Sequence, residues 1–95
     1  MEIFSQAKEF EWDEGNINKN WEKHKVTHLE CEEVFFNEPL MVDIDKVDSS
    51  TEKRYFVLGE TDTGRLLFVI FTIRDDKIRV ISARDMNKKD RKSVV

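Results

Sequence analysis

Residues 54–84 read RYFVLGETDTGRLLFVIFTIRDDKIRVISAR, three apolar runs separated by two polar breaks. Arg54 to Gly59 predicts a strand. Thr61-Asp62-Thr63-Gly64 then supplies a turn, with the glycine where a positive φ is easiest. Arg65 to Arg74 is nearly all apolar in its middle. An antiparallel strand with one wet face would alternate, so this run predicts a central strand covered on both faces. Asp75-Asp76 makes a tight turn, and Lys77 to Arg84 is the return strand. These runs specify an antiparallel sheet, and the rest of the chain has to supply its cover.

Working outward toward the N-terminus, Leu40 to Ile44 is a further strand, followed by an acidic, serine-containing loop from Asp45 to Glu52. Asn37-Glu38-Pro39 ends the preceding element, because a residue before proline is disfavoured in the helical region. That element is a helix from about His28 to Phe36, burying Leu29, Val34 and Phe35 or Phe36. Thr27 and Glu30 stand three apart, as a capping box requires. An earlier helix begins near Glu14 behind Asp13, a side chain suited to an N-cap. On it Ile17, Trp21 and His24 recur at i, i+4 and i+7 as one apolar stripe bordered by Asn20, with Lys19 and Lys23 in a separate row. Lys8 to Trp12 alternates with Phe10 and Trp12 on one face, the period of a half-buried strand. The tail from Asp85 to Val95 is basic and forms a short helix or frays. The expected class is α+β: an N-terminal strand, two helices, then a curved antiparallel sheet of three to four strands.

The chain has 95 residues and a mass of 11.3 kDa, which suits a single domain over 1–95. Seven Phe and two Trp, against three Gly and one Pro, exclude disordered and collagen-like polymers. A single cysteine excludes a disulfide framework, and Cys31 inside the second helix reads as a buried structural thiol. No long apolar run and no basic, apolar leader appear, so a cytoplasmic protein with no membrane contact is expected. Net charge is −4, but it is unevenly spread. Residues 1–50 hold 13 acidic and 5 basic side chains, whereas residues 51–95 hold 7 and 11. A basic half of this kind suits a polyanion or an oppositely charged protein face.

Metal chemistry finds little support in these residues. His24 and His28 lack a third ligand at suitable spacing, and Asp43, Asp45 and Asp48 lack the glycine and terminal glutamate of a calcium loop. No cofactor is implied. No glycine-rich phosphate loop and no nucleophile elbow is present. The arginines are the informative set. Arg54, Arg65, Arg74, Arg79 and Arg84 fall in or at the ends of expected strands, and guanidinium groups match phosphate oxygens in bidentate geometry. Several on one face would bind an RNA backbone and stabilise the charge that builds on phosphorus during cleavage. RNA needs no metal for this, since its own 2′-hydroxyl attacks the adjacent phosphate. Arg79 and Arg84 differ by an odd number, so a regular strand points them to opposite faces.

Five segments recur in register: Phe10-Glu11-Trp12-Asp13, Asn20-x-x-Lys23-His24, the Arg54 to Gly59 strand, Gly64-Arg65-Leu66-Leu67, and Ile81-Ser82-Ala83-Arg84. Together they resemble the BrnT family, toxins of bacterial type II toxin–antitoxin pairs, from about Glu9 to Arg91. The resemblance implies a RelE-like fold and a metal-independent endoribonuclease that blocks translation. It also implies neutralisation by a BrnA-type antitoxin that binds DNA, with two toxins around an antitoxin dimer. Carried over to this chain, it makes Lys23, Arg65 and Arg84 phosphate and transition-state contacts. His24 is then either a proton-transfer group, since imidazole ordinarily titrates within the physiological range, or a packed residue of the apolar stripe. Arg54, Arg74, Arg79 and Lys19 are the further RNA-binding candidates. Trp12 reads as a core anchor. The chain departs from the family pattern at Asn16, where a lysine is usual, and at Lys25, where a glycine is usual. Its C-terminal acid–arginine pair is Asp90-Arg91. A different class of function fits the acidic first half and Asn16: a catalytically silent protein-binding module on the same scaffold, regulating a DNA-binding partner.

Overall fold

The computed structural model describes residues 9–45 and 53–94, so most of the acidic loop expected over Asp45 to Glu52 lies outside the described residues, as does Lys8. The chain runs β1 (Glu9–Phe10), α1 (Glu14–His24), α2 (His28–Phe36), β2 (Met41–Ile44), β3 (Tyr55–Glu60), β4 (Leu66–Arg74), β5 (Lys77–Asp85) and α3 (Lys88–Ser93). The five strands form one sheet in the order β1-β5-β4-β3-β2. β2 to β5 are an antiparallel meander, as the sequence predicts. β1 adds a short parallel edge, Glu9 opposite Lys77 and Phe10 opposite Ile78, so the sheet as a whole is mixed. Asp75 and Asp76, at φ 53° and 63°, make the tight turn between β4 and β5 with two short polar residues in the left-handed region. Among the described residues no helix is long and apolar enough to cross a membrane.

α2 covers one face of the sheet, and α1 lies along the free edge of β5. The core joins Val57, Leu67, Val69, Phe71, Ile78, Val80 and Ala83 of the strands to Cys31 and Val34 of α2 and to Val26 between the helices. Trp12 packs at its margin and closes edge-on against His28 at 5.6 Å. The buried face of α2 is Cys31 and Val34 rather than Leu29, which is 59% exposed. Seven residues are almost two helical turns, so Leu29 shares the outward stripe with Phe36, 73% exposed. Phe35 is the aromatic that turns inward, meeting Phe71 edge-on at 5.0 Å and Phe10 at 5.4 Å. β4 is central in the order, but only its inner face is fully covered. Its outer face, with Leu66, Phe68 and Ile70, is half-buried, because a Phe56–Phe68 stack at 5.5 Å stands there in place of a second helical layer.

The pairing of β4 with β5 slips by one residue. Ile70 is opposite Ser82, but Phe71 is opposite Val80, so β5 carries one extra residue. Such a bulge resets the side-chain alternation. Arg79 lies opposite Thr72 and Arg84 opposite Phe68, and those partners are four apart on a regular strand. Arg79 and Arg84 therefore share the outer face, which overturns the expectation from their odd spacing.

β1 pairs with only the first residues of β5, which leaves the rest of that edge to α1. Asn16 Nδ2 donates to the Val80 carbonyl at 3.1 Å, and the Ala83 N–H donates to Asn20 Oδ1 at 3.1 Å. An otherwise open strand edge is thus satisfied on both sides of the bulge by two asparagines one helical turn apart. This geometry corrects the predicted stripe. Asn20 is the buried residue of α1 at 3% exposure, whereas Trp21 turns outward at 47%. Asp13 caps α1 by accepting from the Asn16 N–H at 2.8 Å, and Thr27 and Glu30 form the predicted capping box.

The close approach of α2 to β3 rests on Gly59. A Cβ there would lie 2.4 Å from Val34 Cγ1. Gly59→Ala is therefore expected to destabilise the fold by about 1–3 kcal/mol, read as a lower urea midpoint at unchanged m-value. Adding Val34→Ala should return part of the loss relative to Val34→Ala alone, because the two substitutions share one space.

Candidate active site

α1 ends on Lys25 in the left-handed conformation, φ 55° and ψ 40°. A glycine reaches this region most easily, and here a lysine occupies it. The turn presents the carbonyls of His24 and Lys25 to Arg65, which stands just before β4. The turn before Arg65 is itself pinned, since the Arg65 N–H donates to Thr61 Oγ1 at 3.0 Å and the Thr61 N–H donates to the Arg65 carbonyl at 2.9 Å.

Each guanidinium nitrogen of Arg65 is engaged. Nε donates to Asp85 Oδ1 at 2.7 Å and Nη2 to Asp85 Oδ2 at 3.1 Å, a bidentate pair. Nη2 also reaches the His24 carbonyl at 3.1 Å, and Nη1 the Lys25 carbonyl at 2.8 Å and Glu30 Oε2 at 3.2 Å. Glu30 at the same time accepts the Thr27 N–H at 3.0 Å. One side chain thereby joins the end of α1, the start of α2, the start of β4 and the end of β5. The hydrogen bond to Asp85, with that to Glu30, raises the Arg65 pKa despite partial burial. Burial opposes ionisation of Glu30, yet the Thr27 N–H and Arg65 outweigh it and hold the carboxyl below its ordinary value.

Asp85 is the charge around which the site gathers. Arg65 lowers its pKa most, and the fields of His24 and Arg91 act in the same direction. Arg84, next in sequence, points to the outer face. Its guanidinium carbon lies 4.2 Å from the Phe68 ring centroid, and Nη1 donates to the Asp85 carbonyl at 3.0 Å and to Asp90 Oδ2 at 2.8 Å. Asp90 comes from the first turn of α3, where it also completes a capping box with Asn87. Its burial works against its charge, but the Asn87 N–H and Arg84 keep its pKa low.

The fold thus ties the His24 backbone and Asp85 together through Arg65, with Lys23 beside His24 on the last turn of α1, while Arg84, next to Asp85 on β5, turns its side chain to the outer face. Lys19 and Lys23 line a shallow groove along α1 with Gly15, Asn18 and Glu22. Arg79 shares a face with Arg84 but is bound elsewhere, to Glu11 Oε1 and Asp13 Oδ2 at 3.0 Å each and to Asn16 Oδ1 at 3.2 Å. Arg54 is exposed just before β3, and Arg74 is exposed at the end of β4. The carboxylate partners Asp85 and Asp90 were missed as site residues, and Glu30 was read only as a cap. Their sequence signals are Asp85 directly after Ser-Ala-Arg and Asp90 in the C-terminal acid–arginine pair. Among the described residues, no three His, Cys, Asp or Glu side chains gather as a metal-ligand set. Cys31 is buried as predicted, its thiol pushed up to about 12 by burial and by neighbouring Glu30 and Glu32.

Residues 12–90 match the family model described as "Ribonuclease toxin, BrnT, of type II toxin-antitoxin system". That span contains Lys23, His24, Arg65, Asp85 and Arg84. No curated protein sequence matches the chain. Among solved structures, the crystal structure of the Brucella abortus ribonuclease toxin BrnT superposes with a TM-score of 0.62 at 22% sequence identity. The match covers 86% of this chain and 100% of that one, and it shows a shared fold.

Glu30 and Asp85 have folded-state pKa values below their unfolded ones, so their contribution to stability is complete above the ordinary carboxylate range and disappears as pH falls through the lowered values. Arg65→Ala is expected to destabilise the protein at pH 7 by on the order of 2 kcal/mol. The gap to wild type should shrink as pH falls from the ordinary carboxylate range, about 4, through the lowered values of Glu30 and Asp85. Urea denaturation across that range checks both statements, and a pH-independent gap would contradict the ion-pair account. Arg65→Lys should not restore stability, since one ammonium cannot serve the fork of acceptors.

Proposed function

Because the chain belongs to the family of BrnT ribonuclease toxins of type II toxin–antitoxin systems, we propose that it is an endoribonuclease toxin working as one cytoplasmic domain. In this reading it blocks translation by cutting RNA without a metal cofactor, and a BrnA-type antitoxin neutralises it in a two-toxin, two-antitoxin assembly. The observation that carries the reading is the Arg65 side chain, which joins the His24 carbonyl to the Asp85 carboxylate, with Arg84 donating to the Asp85 carbonyl beside it.

The chemistry follows from what each side chain is free to do. Arg84 has one carboxylate partner, Asp90, and a ring beneath it that fixes its plane. A phosphate oxygen replaces the Asp90 oxygen without moving the guanidinium, and Arg84 then stabilises the charge that grows on phosphorus. Lys23, exposed on the last turn of α1, provides the second phosphate contact. Arg65 works through its acceptors, holding the backbone at His24 and the Asp85 carboxylate in place. In this reading His24 is the group that moves a proton. The RNA 2′-oxygen bonds to phosphorus as the bond to the 5′-oxygen breaks. The 2′-hydroxyl proton leaves to a base, and the departing 5′-oxygen takes one up. The products are a 2′,3′-cyclic phosphate and a 5′-hydroxyl. Arg54, Arg74, Arg79 and Lys19 extend the basic surface along which the backbone lies.

One observation favours the silent binding module instead. Arg65, Arg79 and Arg84 all hold carboxylates of their own chain. The two readings separate in one experiment, incubation of labelled RNA with the free protein in EDTA. Cleavage leaving a 2′,3′-cyclic phosphate is expected, reduced about 10²-fold or more by Arg84→Ala in a variant that stays folded. Intact RNA with folded wild-type protein would favour the binding module, and full activity in both Arg84→Ala and Lys23→Ala would refute these site assignments.

A further inference from the structure

The C-terminal acid–arginine pair lies on α3, a six-residue helix with four cations, Lys88, Lys89, Arg91 and Lys92, in a chain of net charge −4. All four are exposed, and none makes an ion pair among the described residues. The one acid of the helix, Asp90, turns away from them. Residues two apart lie on nearly opposite sides of a helix, so Asp90 faces away from Lys88 and Lys92. Its side chain is 14% exposed, and Oδ2 accepts from Arg84 Nη1 at 2.8 Å and from the Asn87 N–H at 3.0 Å. α3 buries none of its residues, and among the described residues this is the one hydrogen bond from an α3 side chain to a strand. Arg84 does not need Asp90 for its position. The Asp85 carbonyl accepts from Nη1 at 3.0 Å, and the Phe68 ring lies 4.2 Å from the guanidinium carbon.

A carboxylate oxygen and a phosphate oxygen make the same charge-assisted hydrogen bond to a guanidinium. We propose that α3 is an autoinhibitory strap, in which the Asp90 carboxylate competes with an RNA phosphate for Arg84. The assignment rests on the reading of Arg84 as the phosphate contact of a ribonuclease, and it adds the control of access to that contact. In the free protein Asp90 neutralises Arg84 and ties α3 to the sheet. A phosphate that takes Arg84 leaves α3 without that tie. The exchange also favours a polymer over a single phosphate. One phosphate gains Arg84 at the loss of the Asp90 contact, whereas a longer backbone also meets the cations of α3, which have no carboxylate to give up. The strap thus holds the free protein below its full affinity for RNA and yields to an extended strand.

The experiment compares the full chain with Asp90→Asn, Arg84→Ala and the double variant, each titrated with a fluorescent 2′-O-methyl RNA decamer that cannot be cleaved through its blocked 2′-oxygen. Asparagine keeps the shape of Asp90 and an oxygen for the Asn87 N–H, so the cap of α3 survives, which thermal melting checks. Asp90→Asn is expected to tighten decamer binding by about threefold to tenfold. In the Arg84→Ala background the same substitution should change binding little, because Asp90 then has nothing to withhold. With cleavable RNA the gain should appear as a lower KM rather than a higher kcat. An equal gain with and without Arg84 would mean that removing any negative charge helps, and would overturn the strap. Weaker binding or a lower kcat in Asp90→Asn would make Asp90 a residue that positions Arg84, and would overturn it too. Unchanged binding in Asp90→Asn while the native protein cleaves RNA would remove the strap and leave the ribonuclease reading standing. The expected cycle in a protein that cuts no RNA would keep the strap and remove the ribonuclease.

Discussion

The Arg65 guanidinium meets two backbone carbonyls at the end of α1, the carboxylate that caps α2, and the carboxylate at the end of β5. Secondary structure alone would let each of these pieces drift, because α1 and α2 are joined by a short turn through a left-handed lysine rather than by mutual packing of long helices. The clamp converts four local elements into one rigid corner. Its neighbours take their position from it: Lys23 and His24 through the backbone, Asp85 through the bidentate pair, and Arg84 as the residue before Asp85 on β5. Since both carboxylates carry charge only when deprotonated, the corner is sensitive to acid.

A second constraint operates along β5. Its extra residue at the bulge would leave an edge strand with unmatched backbone groups, and two asparagines of α1 fill the role of a neighbouring strand. This is why a polar residue is the most buried position of that helix. Hydropathy assigns a Trp to the interior and an Asn to the surface, and for α1 both assignments fail for one reason: the contact surface there is a hydrogen-bonding edge and not an apolar face. The same bulge defeats parity for Arg79 and Arg84. Side-chain alternation is a property of regular strands, and nothing in Val80-Ile81-Ser82-Ala83 announces the extra residue.

Legibility followed how local the determining physics is. The strands of the meander, the Asp13 cap, the Thr27–Glu30 capping box and the helix starts are written in contiguous residues, and the structure bears them out. The parallel pairing of β1 with β5 joins segments almost seventy residues apart, and neither carries a mark of the other. The basic residues proposed for the site are marked in the sequence by residue type and motif. Their acidic partners could not, because Arg65 finds Glu30 and Asp85 only after the sheet and helices have met. Leu29 and Phe36 show the converse limit. They look like core residues by type, but the helix phase set by Cys31 and Val34 turns them to solvent.

Cys31 has a consequence of its own. It is the only cysteine in the chain, it is wholly inaccessible, and its proton is held more tightly than that of an ordinary thiol. Alkylation requires a solvent-exposed thiolate, so a small electrophile can react only in molecules whose α2 has lifted from the sheet. The protein therefore carries an intrinsic clock of its own opening: the labelling rate counts excursions of the helix, with no dye or engineered probe.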